Sequence, residues 1–141
     1  MAGYSVIPLE KKLGLKEGMR VVVINPPEEH LSWLQTHRYV FRIGKRVIQE
    51  SVFVHVFTRD RIELERLLHK ARKAIHPAGV VWVSWPKKAA KIDTTVTEDV
   101  IRELALPLGF VDVKVCSVND VWSGLKLVIR KNERKYVLNC R

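Results

Sequence analysis

Residues Val80 to Asp99 read VVWVSWPKKAAKIDTTVTED. A short apolar run ends at Trp85, Pro86, Lys87 and Lys88, passes a Thr-rich loop, and enters a helix with Thr97 as its N-cap and Glu98 and Asp99 at its positive end. A buried strand followed by a helix is the unit of a parallel α/β sheet. Ligands of such sheets bind outside the carboxyl ends of the strands, so Trp85, Lys87 and Lys88 stand where a binding site is expected. No complete catalytic signature accompanies them.

Upstream, Asp60 and Glu63 have capping-box spacing, and Leu64, Leu67, Leu68, Ala71, Ala74 and Ile75 follow helical periodicity, with Pro77 and Gly79 closing the segment. Arg20 to Asn25 and Val52 to Phe57 are β-branched or apolar runs of the kind covered on both faces. Tyr39 to Ile43 reads as a further strand, Glu28 to Gln35 as a short helix, and Pro8 to Leu13 as another, stopped by Gly14. Downstream, Val100, Ile101, Leu104, Ala105 and Leu108 form an apolar stripe that ends at Pro107 and Gly109. Asp112 to Val118 and Leu125 to Arg130 then read as a hairpin joined through residues 119–124. This alternation predicts one three-layer α/β domain over residues 1–141, its Rossmann-like sheet mostly parallel and closed by a C-terminal antiparallel hairpin.

A chain of 141 residues buries enough surface to fold without staples. Cys116 and Cys140 lack any partner at ligand spacing and read as reduced thiols of a cytoplasmic protein, with no metal site. The apolar runs are strand-sized, which predicts neither a signal peptide nor a membrane span. The net charge of +10 draws partly on the basic extension of residues 131–141 and permits a polyanionic partner.

The turn HPAGVVWVSW, a helix, LGFVDVKV and a return through WSGLKLVIRK together resemble the second half of a class I S-adenosylmethionine-dependent methyltransferase. That resemblance implies a last strand inserted antiparallel beside the strand that follows the Pro-x-Gly turn. More narrowly, AGYSVIPLEKKLGLKEGMRVVVIN, VSWPKK, TEDVIRELALPLGFVDVKVC and WSGLKLVIRK resemble a small family of Rossmann-like proteins that brings a fold and no established activity. The departures from methyltransferases are chemical. Their first turn needs glycines for close backbone approach to the cofactor, and here it reads Asn25-Pro26-Pro27-Glu28. Arg42 to Arg46 stand where a ribose-binding acid is expected, and residues 26–51 are too few for two βα units. No cofactor of the usual kind is expected. Asn25-Pro26-Pro27 also resembles the Asn-Pro-Pro-aromatic motif of amino methyltransferases, but Glu28 occupies the aromatic position, and a rigid strand exit is the simpler reading.

If the hairpin flanks the Val80 strand, its turn meets the strand's end. Trp85 and Trp122 would be aromatic walls, Lys87, Lys88 and Lys126 cations, and Thr94, Asp120 and Ser123 hydrogen-bonding groups, with the helix start at Thr97 adding backbone donors. The competing reading makes the tryptophans lids over the sheet and the lysines a solvated loop. None of the five histidines has metal or nucleophile spacing, and His55, within an apolar strand, reads as a core residue. Three functions follow. The favoured one is a non-catalytic protein that binds a small anionic or nucleotide-like ligand. The alternatives are a cryptic methyltransferase-like transferase and a basic protein for weak nucleic-acid or acidic-partner binding, no membrane being involved.

Overall fold

Arg20, followed by three valines and Ile24, forms β1 (Arg20–Ile24), whose valines are fully buried because both faces of the sheet are covered. A computed structural model describes residues 7–134; the expectations for Cys140 and for residues 135–141 of the basic extension lie outside them. Before β1 comes α1 (Leu9–Leu13), ended by Gly14 in the left-handed region at φ 81°. After it come α2 (Glu28–Thr36), β2 (Arg42–Gly44), β3 (Ser51–Phe57), α3 (Arg61–Ala74), β4 (Ile75–Pro86), α4 (Glu98–Ala105), β5 (Phe110–Ser117) and β6 (Trp122–Ile129).

The six strands lie in the order β2-β1-β3-β4-β6-β5. β1, β2, β3 and β4 are parallel, and β6 enters antiparallel to both β4 and β5. The sheet is therefore mostly parallel with the antiparallel hairpin at one side, as the sequence pattern predicts. One face packs Val22, Val54, Val56, Val81, Val83 and Trp85 under α3 and α4. The other packs Val21, Val23, Phe53, Phe57 and Trp82 under α1 and α2. Trp82 is fully buried, and its indole N–H donates to the Leu13 carbonyl at 3.0 Å, satisfying an orphan acceptor at the end of α1.

The hairpin strands begin earlier than the sequence reading places them, at Phe110 and Trp122, so residues 122–124 belong to β6 and not to the turn, and four further details differ. The second strand is Arg42–Gly44 rather than Tyr39 to Ile43, because the preceding backbone is committed elsewhere: the Val40 N–H donates to Glu17 Oε2 at 2.7 Å and its carbonyl accepts from Gly18. Asp60 caps α3 by accepting from the Ile62 N–H at 3.0 Å, but Glu63 closes no capping box; its carboxylate accepts from the Thr58 hydroxyl at 2.6 Å instead. β4 begins at Ile75, so Pro77 and Gly79 lie within an irregular strand start, where a Cβ on Gly79 would meet the Ser51 carbonyl at 3.0 Å. In α4 only Ile101 and Ala105 are buried, and Val100, Leu104 and Leu108 are half-buried, since this helix packs at the rim against α3 and β5. No described helix is long and apolar enough to cross a membrane.

Candidate functional site

β4 delivers Trp85, Pro86 and Lys87 to the carboxyl end of the sheet, and a turn at Lys88–Ala90 leads into the Thr-rich loop. That loop is pinned to the start of α3. Thr95 N–H and Thr94 Oγ1 both donate to the Arg59 carbonyl, at 2.9 and 3.0 Å, and Thr95 Oγ1 accepts from the Arg61 N–H at 2.7 Å. Thr97 then caps α4, its hydroxyl accepting from the Val100 N–H at 3.2 Å. Between the end of β4 and the first turn of α4 lies an open groove of about 730 Å³, with Trp85, Lys87, Lys88, Thr94 and Thr97 in its lining.

The hairpin turn does reach the same edge. Lys87 N–H donates to the Val121 carbonyl at 2.7 Å, and Trp85 and Pro86 pair with Ser123 and Trp122. The two tryptophans nevertheless diverge, because successive strand residues point to opposite faces. Trp85 lies under α3 and α4, whereas Trp122 packs on the other face with its ring 5.3 Å from that of Phe57. The expectation of one cleft walled by both is corrected on this ground. Trp122, Asp120, Ser123 and Lys126 are all outside the groove lining. Lys126 pairs with Trp82 on the α1 side of the sheet, and Asp120 is exposed in a turn shaped by Asn119, whose Oδ1 accepts from the N–H groups of Val121 and Trp122.

Within the groove the polar groups are partly engaged. Trp85 is only 9% exposed and offers little ring surface. Lys87 Nζ donates to Ser117 Oγ at 2.7 Å, and the Thr94 hydroxyl, besides binding Arg59, accepts from the Val96 N–H at 3.0 Å. Sequence reasoning missed Arg102 and Asp93, which also line it. Arg102 gathers Glu98, Asp99 and Asp112, with its Nε donating to Asp112 at 2.9 Å, and this guanidinium holds the Asp112 carboxyl below its ordinary value. The i, i+3 and i, i+4 spacing from Asp99 and Glu98 to Arg102 was the available signal. Lys87, Lys88 and Arg102 thus face Asp93, Glu98 and Asp99, three cations against three carboxylates. The groove is close to charge-balanced rather than an anion funnel.

The chain leaves β1 for β2 on one side and returns to β3 on the other, so the topological switch point lies between β1 and β3. Its carboxyl end is crossed by side chains. Asn25, with φ at 56°, donates from Nδ2 to Glu63 Oε2 at 3.3 Å, and Thr58 donates to the other oxygen of the same carboxylate.

Solved structures of similar fold include a protein assigned to the type 11 methyltransferases from Sulfolobus solfataricus, with a TM-score of 0.55 and 12% identity over 91% of this chain and 93% of that one. The fold is methyltransferase-like. A ribosomal protein methylase from Lactobacillus delbrueckii subsp. bulgaricus aligns with a TM-score of 0.54 and 10% identity over 86% of this chain and 75% of that chain. LepI, solved in complex with S-adenosylmethionine, aligns at 0.54 and 13% identity over 88% of this chain, which spans 47% of LepI. No family model matches the sequence, and no curated protein matches it.

The residues at the switch point do not fit the cofactor of a methyltransferase. Pro26 and Pro27 carry no amide hydrogen, so two positions of the first turn offer no donor to a carboxylate or phosphate. Glu28 and Glu29 open α2 with negative charge, and the Asn25–Glu63–Thr58 bridge spans the crevice.

Proposed function

We propose that this methyltransferase-fold chain binds a small ligand in the groove between the end of β4 and the start of α4, and carries out no methyl transfer of the usual kind. The observation that carries the reading is the separation of space from convention: the open volume lies beside Trp85 and Lys88, while the switch-point crevice is bridged by Asn25 and Glu63. The lining selects an amphoteric molecule. An anionic group suits Lys88 and the first turn of α4, and a cationic or donor group suits Asp93 and Glu98.

Thermal-shift titration with adenosine monophosphate, tryptophan and S-adenosylmethionine tests this. The expected result is stabilisation by one of them that Lys88→Ala and Asp93→Asn each weaken at least fivefold. Both substitutions are on the exposed or half-buried loop, where stability changes stay within about 0.5 kcal/mol. Stabilisation by S-adenosylmethionine that survives these changes and disappears in Asn25→Ala would favour a cryptic transferase, a reading that rests on the fold alone.

A further inference from the structure

The amino ends of β1 and β2 border a second groove, about 550 Å³, at the opposite end of the sheet from the first. Arg20 and Arg42 line it and are register partners on adjacent parallel strands. Their side chains therefore leave one face of the sheet about 4.8 Å apart. A Cβ on Gly44 would lie 3.7 Å from the Arg20 guanidinium, so that side chain runs over a bare stretch of β2. Both arginines are exposed, and among the described residues neither has a carboxylate at ion-pair distance. Two carboxylates share the groove, Glu17, which accepts from the Val40 N–H, and Glu50, 3.8 Å from His76, and neither is at ion-pair distance from the arginines.

Like charges at facing positions of neighbouring strands oppose folding. An anion that bridges them reverses the sign, and two guanidinium forks match the oxygens of a phosphate. Lys16 also lines the groove, and Lys45 and Arg46 are exposed just past the carboxyl end of β2, the short strand that Arg42 opens. A loop rather than a helix connects β2 to β3 on this face, with Val47 packed against the core. No aromatic ring lines the groove, so it offers nothing for a base to stack on.

We propose that Arg20 and Arg42, extended by Lys16, Lys45 and Arg46, form a docking site for the phosphodiester backbone of a nucleic acid, bound without sequence preference. This site is independent of the groove beside β4.

The test is fluorescence anisotropy of the full chain with a labelled mixed-sequence DNA duplex across a salt series. The wild type is expected to bind, with affinity falling steeply as salt rises. R20Q/R42Q should lower the slope of log affinity against log salt by about 1.8, two phosphate contacts at about 0.9 each. Affinity should fall at least tenfold at low salt, equally for two unrelated duplexes. K45Q/R46Q should act in the same direction, which provides a second reading if the double arginine variant folds poorly, and K87A/K88A should leave binding unchanged. The proposal is overturned if the wild type fails to bind at low salt, if R20Q/R42Q keeps the wild-type slope, or if binding is lost instead in K87A/K88A. Binding of inorganic pyrophosphate without binding of the duplex also overturns the nucleic-acid assignment.

Discussion

His55 Nε2 lies 2.7 Å from Ser84 Oγ across the β3–β4 pair, and both residues are almost wholly buried. The other ring nitrogen, Nδ1, has no partner and is enclosed by rings: Phe57 stacks at 4.2 Å, and His30 from α2 stands edge-on at 5.1 Å. Burial alone pushes His30 down to about 4, and burial together with the neighbouring His30 drives His55 well below its ordinary value. Burial thus favours the neutral form of both imidazoles, since a proton on either would bring an unpaired charge into an apolar layer.

The first prediction is acid lability. A histidine whose folded pKa is depressed binds fewer protons than its unfolded counterpart, so its contribution is complete above about 6.5 and is lost as pH falls toward 4. For His30 the loss approaches about 3 kcal/mol across that window, and His55 adds in the same direction. Urea denaturation between pH 7.5 and 4.5 should show it, and His30→Phe should flatten the profile.

Ser84→Ala should destabilise the fold by about 1–3 kcal/mol at pH 7.5, since it strips the remaining partner from a buried imidazole. His55→Phe paired with Ser84→Ala should cost less than the sum of the single changes, because the double variant leaves neither group unpaired. Denaturant midpoints of the four proteins complete the cycle; strict additivity would remove the pair from the account.

Gly124 marks where β6 crosses the same layer. A Cβ there would approach Trp82 and Val118 at 3.2 Å and Ser84 Oγ at 3.3 Å, all in tightly packed surroundings. Gly124→Ala should therefore lower stability by about 1–3 kcal/mol, measured by thermal unfolding.

The order of strands and the placing of the hairpin were legible because uninterrupted runs such as Arg20–Ile24 and Val52–Phe57 have few other uses. The carboxyl edge of β4 was legible for the same reason, and with it the groove beside Trp85, Lys87 and Lys88. The face to which each side chain turns was not. Trp85 and Trp122 differ in facing by the parity of one register position, which depends on how β6 pairs with β4. The loss of Tyr39 and Val40 from the second strand was equally hidden, since it follows from an acceptor on Glu17, far off in sequence. The pairing of Arg20 with Arg42 depends likewise on the register of β1 against β2, which no local pattern specifies.

Glu63 ties the switch point together, taking one hydrogen bond from Asn25 and a shorter one from the buried Thr58 hydroxyl. Its replacement by alanine withdraws both acceptors. Thr58 keeps its bond to the Asp60 N–H and a weaker one to the Asp60 carbonyl, so the penalty should be moderate, about 1–2 kcal/mol by urea denaturation. The change clears the bridge across the crevice but supplies neither a glycine turn nor amide donors at Pro26 and Pro27. Calorimetry of Glu63→Ala with S-adenosylmethionine should accordingly give no stoichiometric heat at the switch point. A tight heat of binding that appears only in Glu63→Ala would mean that the bridge, and not the composition of the first turn, is what keeps the cofactor out.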